Sequence, residues 1–317
     1  MNRCIQSVIA ISIFTSACVA QVAERSSPAV SAPELSKGQW TVRGHIPFEQ
    51  FVIYSHRGAG ELAPENTIAA FELGWKMGTV PEADMRTTRD GILVAFHDAS
   101  FKRIVNTTDA ALKKQGVSDL TFAELSKLDV GSWNGDQFAG LRVPKLSEVF
   151  ALMRGQPERR LCLDYKHVDL KHLAEEVRSH GVEQQTILAT TDYEVIREWK
   201  KLLPGSVTML WMSEPETRLK VRLEQLRAVD FAGINRIQFH PRANTNSASI
   251  EPFTLSRSFL RAVADETRSR RIVFEVFPRD ITDPKAYWQL LDLGVASFST
   301  DHPQLAIKAV RDYYARE

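Results

Sequence analysis

Residues 51–98 read FVIYSHRGAGELAPENTIAAFELGWKMGTVPEADMRTTRDGILVAFHD. The apolar run 51–55 has the length of a strand and stops at His56-Arg57-Gly58. Pro64-Glu65-Asn66-Thr67 then lead into an amphipathic stretch, 66–77, where Asn66 and Thr67 stand in the place of helix caps. A second run, 80–85, sets Glu82 and Asp84 two apart, so both side chains leave the same face of a strand. Arg89-Asp90-Gly91 reads as a turn that folds a third run, 92–96, back as an antiparallel hairpin ending at His97-Asp98. A strand, a helix and a second strand within so short a span form the repeating unit of a parallel α/β sheet.

The unit repeats to the C-terminus. Strand-like runs at 51–55, 80–85, 160–165, 186–190, 207–212, 234–239, 272–277 and 296–300 alternate with helical stretches at 66–77, 170–180, 193–203, 216–229, 255–270, 284–293 and 303–314. Eight strands with helical crossovers is the count of an α/β fold of the (β/α)8 TIM barrel type. The run 92–96 and helical stretches at 121–128 and 146–153 form a small hairpin and helical insertion after the second strand. A chain of 317 residues with 44% apolar content suits one such domain. A doubly wound open sheet alternates in the same way, but no Gly-rich dinucleotide turn is found here.

Barrels of this kind form their sites at the C-terminal ends of the strands. His56 and Arg57 end the first strand; Glu82 and Asp84 lie on the second; Asp164 and Lys166, again two apart, end the third. An isolated acidic pair on a strand is ordinarily a solvated face, but Val80, Ala83 and Met85 leave no such face. Three carboxylates converging on a barrel mouth repel unless a cation neutralises them. A divalent metal with hard oxygen ligands answers that need, and Mg²⁺ or Ca²⁺ suits carboxylate ligation better than zinc. Two histidines can divide acid and base duties near neutral pH, and Arg57 offers planar donors to a phosphate oxygen. His167, His172, His180 and His240 receive no role; Trp211 is a candidate pocket wall, with a core tryptophan as the preferred reading.

The strings HRGAGELAPENTIAAF and EADMRTTRDGILVAFHD together resemble the glycerophosphodiester phosphodiesterase family, and the likeness runs through nearly all of the chain after the leader. The resemblance implies His56 and His97 as the acid–base pair, Arg57 and Lys166 as substrate-binding groups, and Glu82, Asp84 and Asp164 as metal ligands. It further implies a small-molecule glycerophosphodiester as substrate, with glycerol 3-phosphate and an alcohol as products. Either a substrate hydroxyl or water is then the first nucleophile. Two positions depart from the family. Asp164-Tyr165-Lys166 stands where the family has Glu-x-Lys, so the metal must sit closer to this strand or be reached through water. Phe274-Glu275-Val276-Phe277-Pro278 occupies a region where the family shows a tryptophan; Phe277 is a candidate apolar wall and Glu275 a candidate polar contact. Trp133 and Phe138, in the connection 101–146, are candidate apolar contacts over the mouth.

The N-terminus differs in kind. Arg3, an apolar run from Ile5 to Phe14 and the small residues Thr15, Ser16 and Ala17 describe a signal peptide over residues 1–20, and thus an exported chain, periplasmic or secreted. Cleavage after Ala20 gives an ordinary mature end; cleavage after Ala17 leaves Cys18 for lipidation and membrane attachment. Residues 21–46, rich in Ser, Pro, Ala and Glu, read as a linker, and 47–317 as the barrel domain. Only Cys162 lies in the folded part, so no internal disulfide is expected, and its apolar neighbours make it a packing residue. With 40 basic against 39 acidic residues, charge gives no reason to expect nucleic acid as a partner. The competing functions are lysophospholipase D-like cleavage of longer lipids and a non-catalytic binding lipoprotein on the same fold. A carboxylate-pair glycosidase has no use for Arg57 and two histidines.

Overall fold

The computed structural model describes residues 40–244 and 251–316. Nine strands run in chain order as β1 (Val52–Ser55), β2 (Val80–Thr87), β3 (Leu93–Ala95), β4 (Leu161–Tyr165), β5 (Thr186–Thr190), β6 (Val207–Met212), β7 (Arg236–Phe239), β8 (Val273–Val276) and β9 (Ser297–Thr300). Eight of them pair in parallel in the cycle β1–β2–β4–β5–β6–β7–β8–β9 and back to β1, which closes the barrel. β3 pairs antiparallel with the far end of β2, placing Ala95 opposite Met85. Across the β2–β4 pair Glu82 faces Cys162 and Asp84 faces Asp164, so two acidic residues are direct neighbours in the ladder.

Among the described residues the eight long helices are Ile68–Lys76, Leu146–Met153, Leu170–His180, Tyr193–Leu202, Glu216–Ala228, Arg257–Ser269, Pro284–Asp292 and Pro303–Tyr314. Side-chain caps set their starts: Thr67 accepts from Ala70 N, Asp169 from His172 N, and Ser256 from Phe259 N. Each cap satisfies a backbone N–H that the helix itself leaves unpaired, so these helices begin within two residues of the expected starts. The expected helix at 121–128 is a single turn, Phe122–Leu125, because Ser126 already closes it. No helix among the described residues is long and apolar enough to cross a membrane.

Alternation along the strands sorts the core into layers. Outward residues such as Met85, Leu163, Phe239, Phe274 and Phe298 pack under the helices. Inward residues at the closed end of the barrel, Tyr54, Val80, Cys162, Ile187 and Met209, form a smaller cluster of their own. A third cluster of Val94, Phe96, Phe101, Ile104, Val117, Leu120, Leu125 and Val143 lies under the insertion, outside the barrel. The signal peptide, Cys18 and residues 21–39 of the expected linker fall outside the described residues. The last part of that linker is corrected. Trp40 and Val42 are buried against the barrel, Thr41 caps a turn at Val42–His45, and Arg268 lies over the Trp40 ring at 4.5 Å. The folded part therefore begins by residue 40 rather than 47.

Candidate active site

The end of β1 turns sharply. Arg57 has φ 52° and Gly58 φ 109°, and a Cβ on Gly58 would meet that of Ala70 at 2.6 Å, so only glycine lets the turn lie on the following helix. The turn points Arg57 N at Glu82 Oε2 (2.7 Å) and sends the Arg57 guanidinium to Glu65 (3.0 and 3.2 Å). Arg57 Nε lies 3.7 Å from Asp84 Oδ2 and is buried without a hydrogen-bond partner. His56 projects from the same turn, its Nδ1 2.6 Å from Oδ1 of Asp301, the residue after β9. That hydrogen bond holds the Asp301 carboxyl below its usual range against the opposing effect of burial.

Glu82, Asp84 and Asp164 bring one carboxylate oxygen each within 4.8 Å of one another. Burial, and then the charges of Asp84 and Asp164, push the Glu82 carboxyl well above its usual range. Burial raises Asp164 too, although Lys166 opposes it. For Asp84 the charges of Lys166, His97 and Arg57 outweigh burial and hold it low. Lys166 Nζ stands between two of the acids, 2.5 Å from Asp164 Oδ2 and 3.2 Å from Asp84 Oδ1. Trp211 Nε1 donates to Asp164 Oδ1 at 2.8 Å. Asn66, itself at φ 55°, donates to Asp84 Oδ2 (2.9 Å) and accepts from Asp84 N (3.0 Å). Three carboxyl groups crowd their oxygens together, and their mutual repulsion and burial resist ionisation of Glu82 and Asp164; this all-oxygen donor set fits a hard divalent cation, which would relieve that repulsion.

His97 follows β3, its Nδ1 2.7 Å from Asp98 Oδ1. Arg103 Nε holds Asp98 Oδ2 at 2.8 Å, and its two terminal nitrogens grip both oxygens of Glu65 at 2.6 Å. His97, Asp98, Arg103, Glu65 and Arg57 thus form one continuous chain of charged contacts. Across the mouth, His240 stacks on Trp211 at 5.0 Å between centroids and 4° between planes, and Phe277 sets its edge on both His56 and His240. Burial, with Arg279 and His56 nearby, lowers His240 to about 3, and its Nε2 bonds to Gln238 Oε1 at 2.8 Å. These groups enclose a cavity of about 360 Å³, onto which all seven residues singled out from the sequence open.

A family model described as the glycerophosphoryl diester phosphodiesterase family matches residues 56–305. The chain belongs to that family. It is accordingly a phosphoric diester hydrolase. A glycerophosphodiester phosphodiesterase from Caldanaerobacter subterraneus is 26% identical over 272 residues, covering 82% of this chain and 98% of that protein. A lysophospholipase D from Homo sapiens is 29% identical over 270 residues, covering 78% and 82%. Among solved structures, an Oleispira antarctica phosphodiesterase in complex with the product sn-glycerol-3-phosphate superposes with TM-score 0.61 at 23% identity, over 86% of this chain and all of that one. A glycerophosphodiester phosphodiesterase from Agrobacterium tumefaciens gives TM-score 0.63 at 24% identity, over 81% and 99%. At such identities the two structures show the same barrel.

In this phosphodiesterase the barrel gathers His56, Arg57, Glu82, Asp84, His97, Asp164 and Lys166 at one end. The shorter Asp164 reaches the acidic group directly. Three expectations are corrected. Asn66 orients Asp84 instead of capping, and Thr67 alone takes the cap. Trp211 lines the cavity and donates to Asp164, so the pocket-wall reading holds over the preferred core one. Glu275 is drawn inside the barrel by an ion pair with Arg236 and makes no wall of the cavity. Phe277 is a wall as anticipated. Asp301 and Arg103 stand out nowhere in the sequence, His240 receives no role there, and Glu65 reads only as shaping the helix entry, whereas here it grips Arg57 and Arg103. Asp301 lies 245 positions from its partner, and nothing local marks it.

Proposed function

We propose that this enzyme hydrolyses small glycerophosphodiesters to glycerol 3-phosphate and an alcohol, using His56 and His97 as acid and base and a divalent cation at Glu82, Asp84 and Asp164. The observation that carries the reading is the pairing of each histidine, through Nδ1, with a carboxylate: Asp301 for His56 and Asp98 for His97. Each carboxylate fixes a ring and leaves Nε2 to face the reacting group. Arg57 lines the cavity and supplies guanidinium donors to a phosphate oxygen, and Lys166 adds a second positive charge on the same cavity. A bound divalent cation would neutralise phosphate charge and lower the pKa of the attacking hydroxyl. One histidine takes the nucleophile's proton and the other returns one to the departing alkoxide. The substrate class follows from the family and from the activity named for the Caldanaerobacter relative.

The test is release of glycerol 3-phosphate from glycerophosphocholine, with and without chelator. His56→Ala and His97→Ala should each lower kcat/KM by roughly 10²–10⁴-fold; near-wild-type turnover in either variant removes that histidine from the mechanism. Activity that survives exhaustive chelation would remove the cation. Lysophosphatidylcholine is the second substrate to assay, since the human relative is a lysophospholipase D and Trp133 stands exposed near the mouth. The leader-like N-terminus supports export, periplasmic or secreted. The mass of the mature N-terminus, Gln21 or a lipidated Cys18, tests it.

A further inference from the structure

Arg236 on β7 and Glu275 on β8 form an ion pair buried inside the barrel, and the proposed chemistry uses neither. Apolar side chains of similar volume would fill such an interior about as well, so stability alone does not account for the pair. Its place in the ladder is more telling. Trp211 on β6, Gln238 on β7 and Glu275 on β8 are successive partners across three strands, and Trp211 bonds to Asp164. We propose that Glu275, acting through Gln238, His240 and Trp211, positions Asp164 to receive the divalent cation, an inference that rests on the cation reading given above.

The first links are hydrogen bonds. Glu275, paired with Arg236, offers only acceptor oxygens. The Gln238 amide nitrogen faces it at 3.4 Å and donates to Ser299 Oγ at 2.7 Å. A flipped amide would set its carbonyl against a carboxylate, so the ion pair decides which end of Gln238 points where. Gln238 Oε1 is left for His240 and takes the Nε2–H at 2.8 Å. The proton of His240 is thereby placed on Nε2, and the ring cannot turn over without losing that bond.

The last links are a stack and a donor. His240 lies flat on the Trp211 indole, and Phe277 packs against the same imidazole at 5.2 Å. A ring fixed in this way fixes the plane of the indole beneath it. Trp211 Nε1–H lies in that plane and is aimed at Asp164 Oδ1, while Lys166 holds Oδ2. Both oxygens of Asp164 therefore have set directions, and a ligand oriented in advance binds an ion without the cost of ordering it. Aspartate is one methylene shorter than glutamate, so a small rotation of its carboxylate withdraws an oxygen from the acidic group.

The experiment measures Mg²⁺ and Ca²⁺ affinity of the substrate-free protein by titration calorimetry. Beside it runs the fluorine NMR signal of Trp211 in protein made with fluorotryptophan, assigned through Trp211→Phe. His240→Ala should raise the cation Kd about tenfold and shift the Trp211 signal before any cation is added. Arg236→Met combined with Glu275→Met removes the pair without leaving a lone buried charge, and should raise Kd about threefold. Gln238→Met should do the same, and it replaces either variant that fails to fold by circular dichroism. An unchanged Kd in these variants overturns the inference, as does a raised Kd with the Trp211 signal unmoved, since the effect would then bypass the indole. A wild type that binds neither cation overturns the cation reading itself, and the inference with it.

Discussion

Arg103 grips two carboxylates at once, Glu65 with both terminal nitrogens and Asp98 with Nε. Asp98 orients His97 and Glu65 orients Arg57, so one guanidinium holds in place the proposed proton-transfer group and the proposed phosphate ligand together. Arg103→Ala should lower kcat by about 10²-fold through misplacement of both, with partial recovery on adding guanidinium to the assay; a loss that guanidinium leaves untouched would point to damage elsewhere. His240 gives a pH prediction. Burial lowers it to about 3, below the 6.5 of an exposed imidazole, so above pH 6.5 it makes stability no more dependent on pH. Below 6.5 the unfolded chain binds a proton that the folded protein refuses, and stability falls by about 1.4 kcal/mol per pH unit. His240→Gln should therefore lose about 2 kcal/mol less than the wild type between pH 6.5 and 4.5, measured by urea unfolding. Residues such as His56, Glu82 and Asp84 were legible because each follows or alternates within an apolar run. Asp301 and Arg103 were not, since their roles come from partners that only the closed barrel brings near.

At the scale of elements, the strands and helices of the barrel could be read from periodicity, and their ends from caps. The expected strand at 234–239 starts at Arg236, because Asn235 turns its side chain back on Thr208. Ser256 marks the start of Arg257–Ser269 and accepts from Phe259 N at 3.3 Å. Ser256→Ala should cost about 1 kcal/mol, seen as a lower urea midpoint with an unchanged slope. The stretch 101–145 was the least legible. Its pieces are single helical turns closed by Asp129, Glu124 and similar side-chain caps, and such turns leave no period in the sequence. Trp40 was misplaced for another reason: a lone aromatic in a Pro- and Ser-rich stretch has no pattern, and only the groove beside Arg268 explains it.

For the whole molecule, the acidic mouth and the apolar layers are separate sources of order. The layers close the barrel, while Lys166 and Arg57 already offset part of the charge of the acids. Stripping divalent cations should thus leave the fold intact by circular dichroism. Adding Mg²⁺ or Ca²⁺ at about a hundred times its Kd should stabilise the protein by about 2.7 kcal/mol, read as a higher Tm. Asp84→Asn should abolish that rise. The insertion has a consequence of another sort. His56 stands on the barrel, but His97 stands over the separate cluster of Val94, Phe96, Phe101 and their neighbours. The two histidines proposed for proton transfer thus rest on different parts of the molecule. If the smaller part opens first, as small peripheral units do, heating silences turnover several degrees before the far-ultraviolet signal changes, and cooling from that window restores it without refolding the barrel.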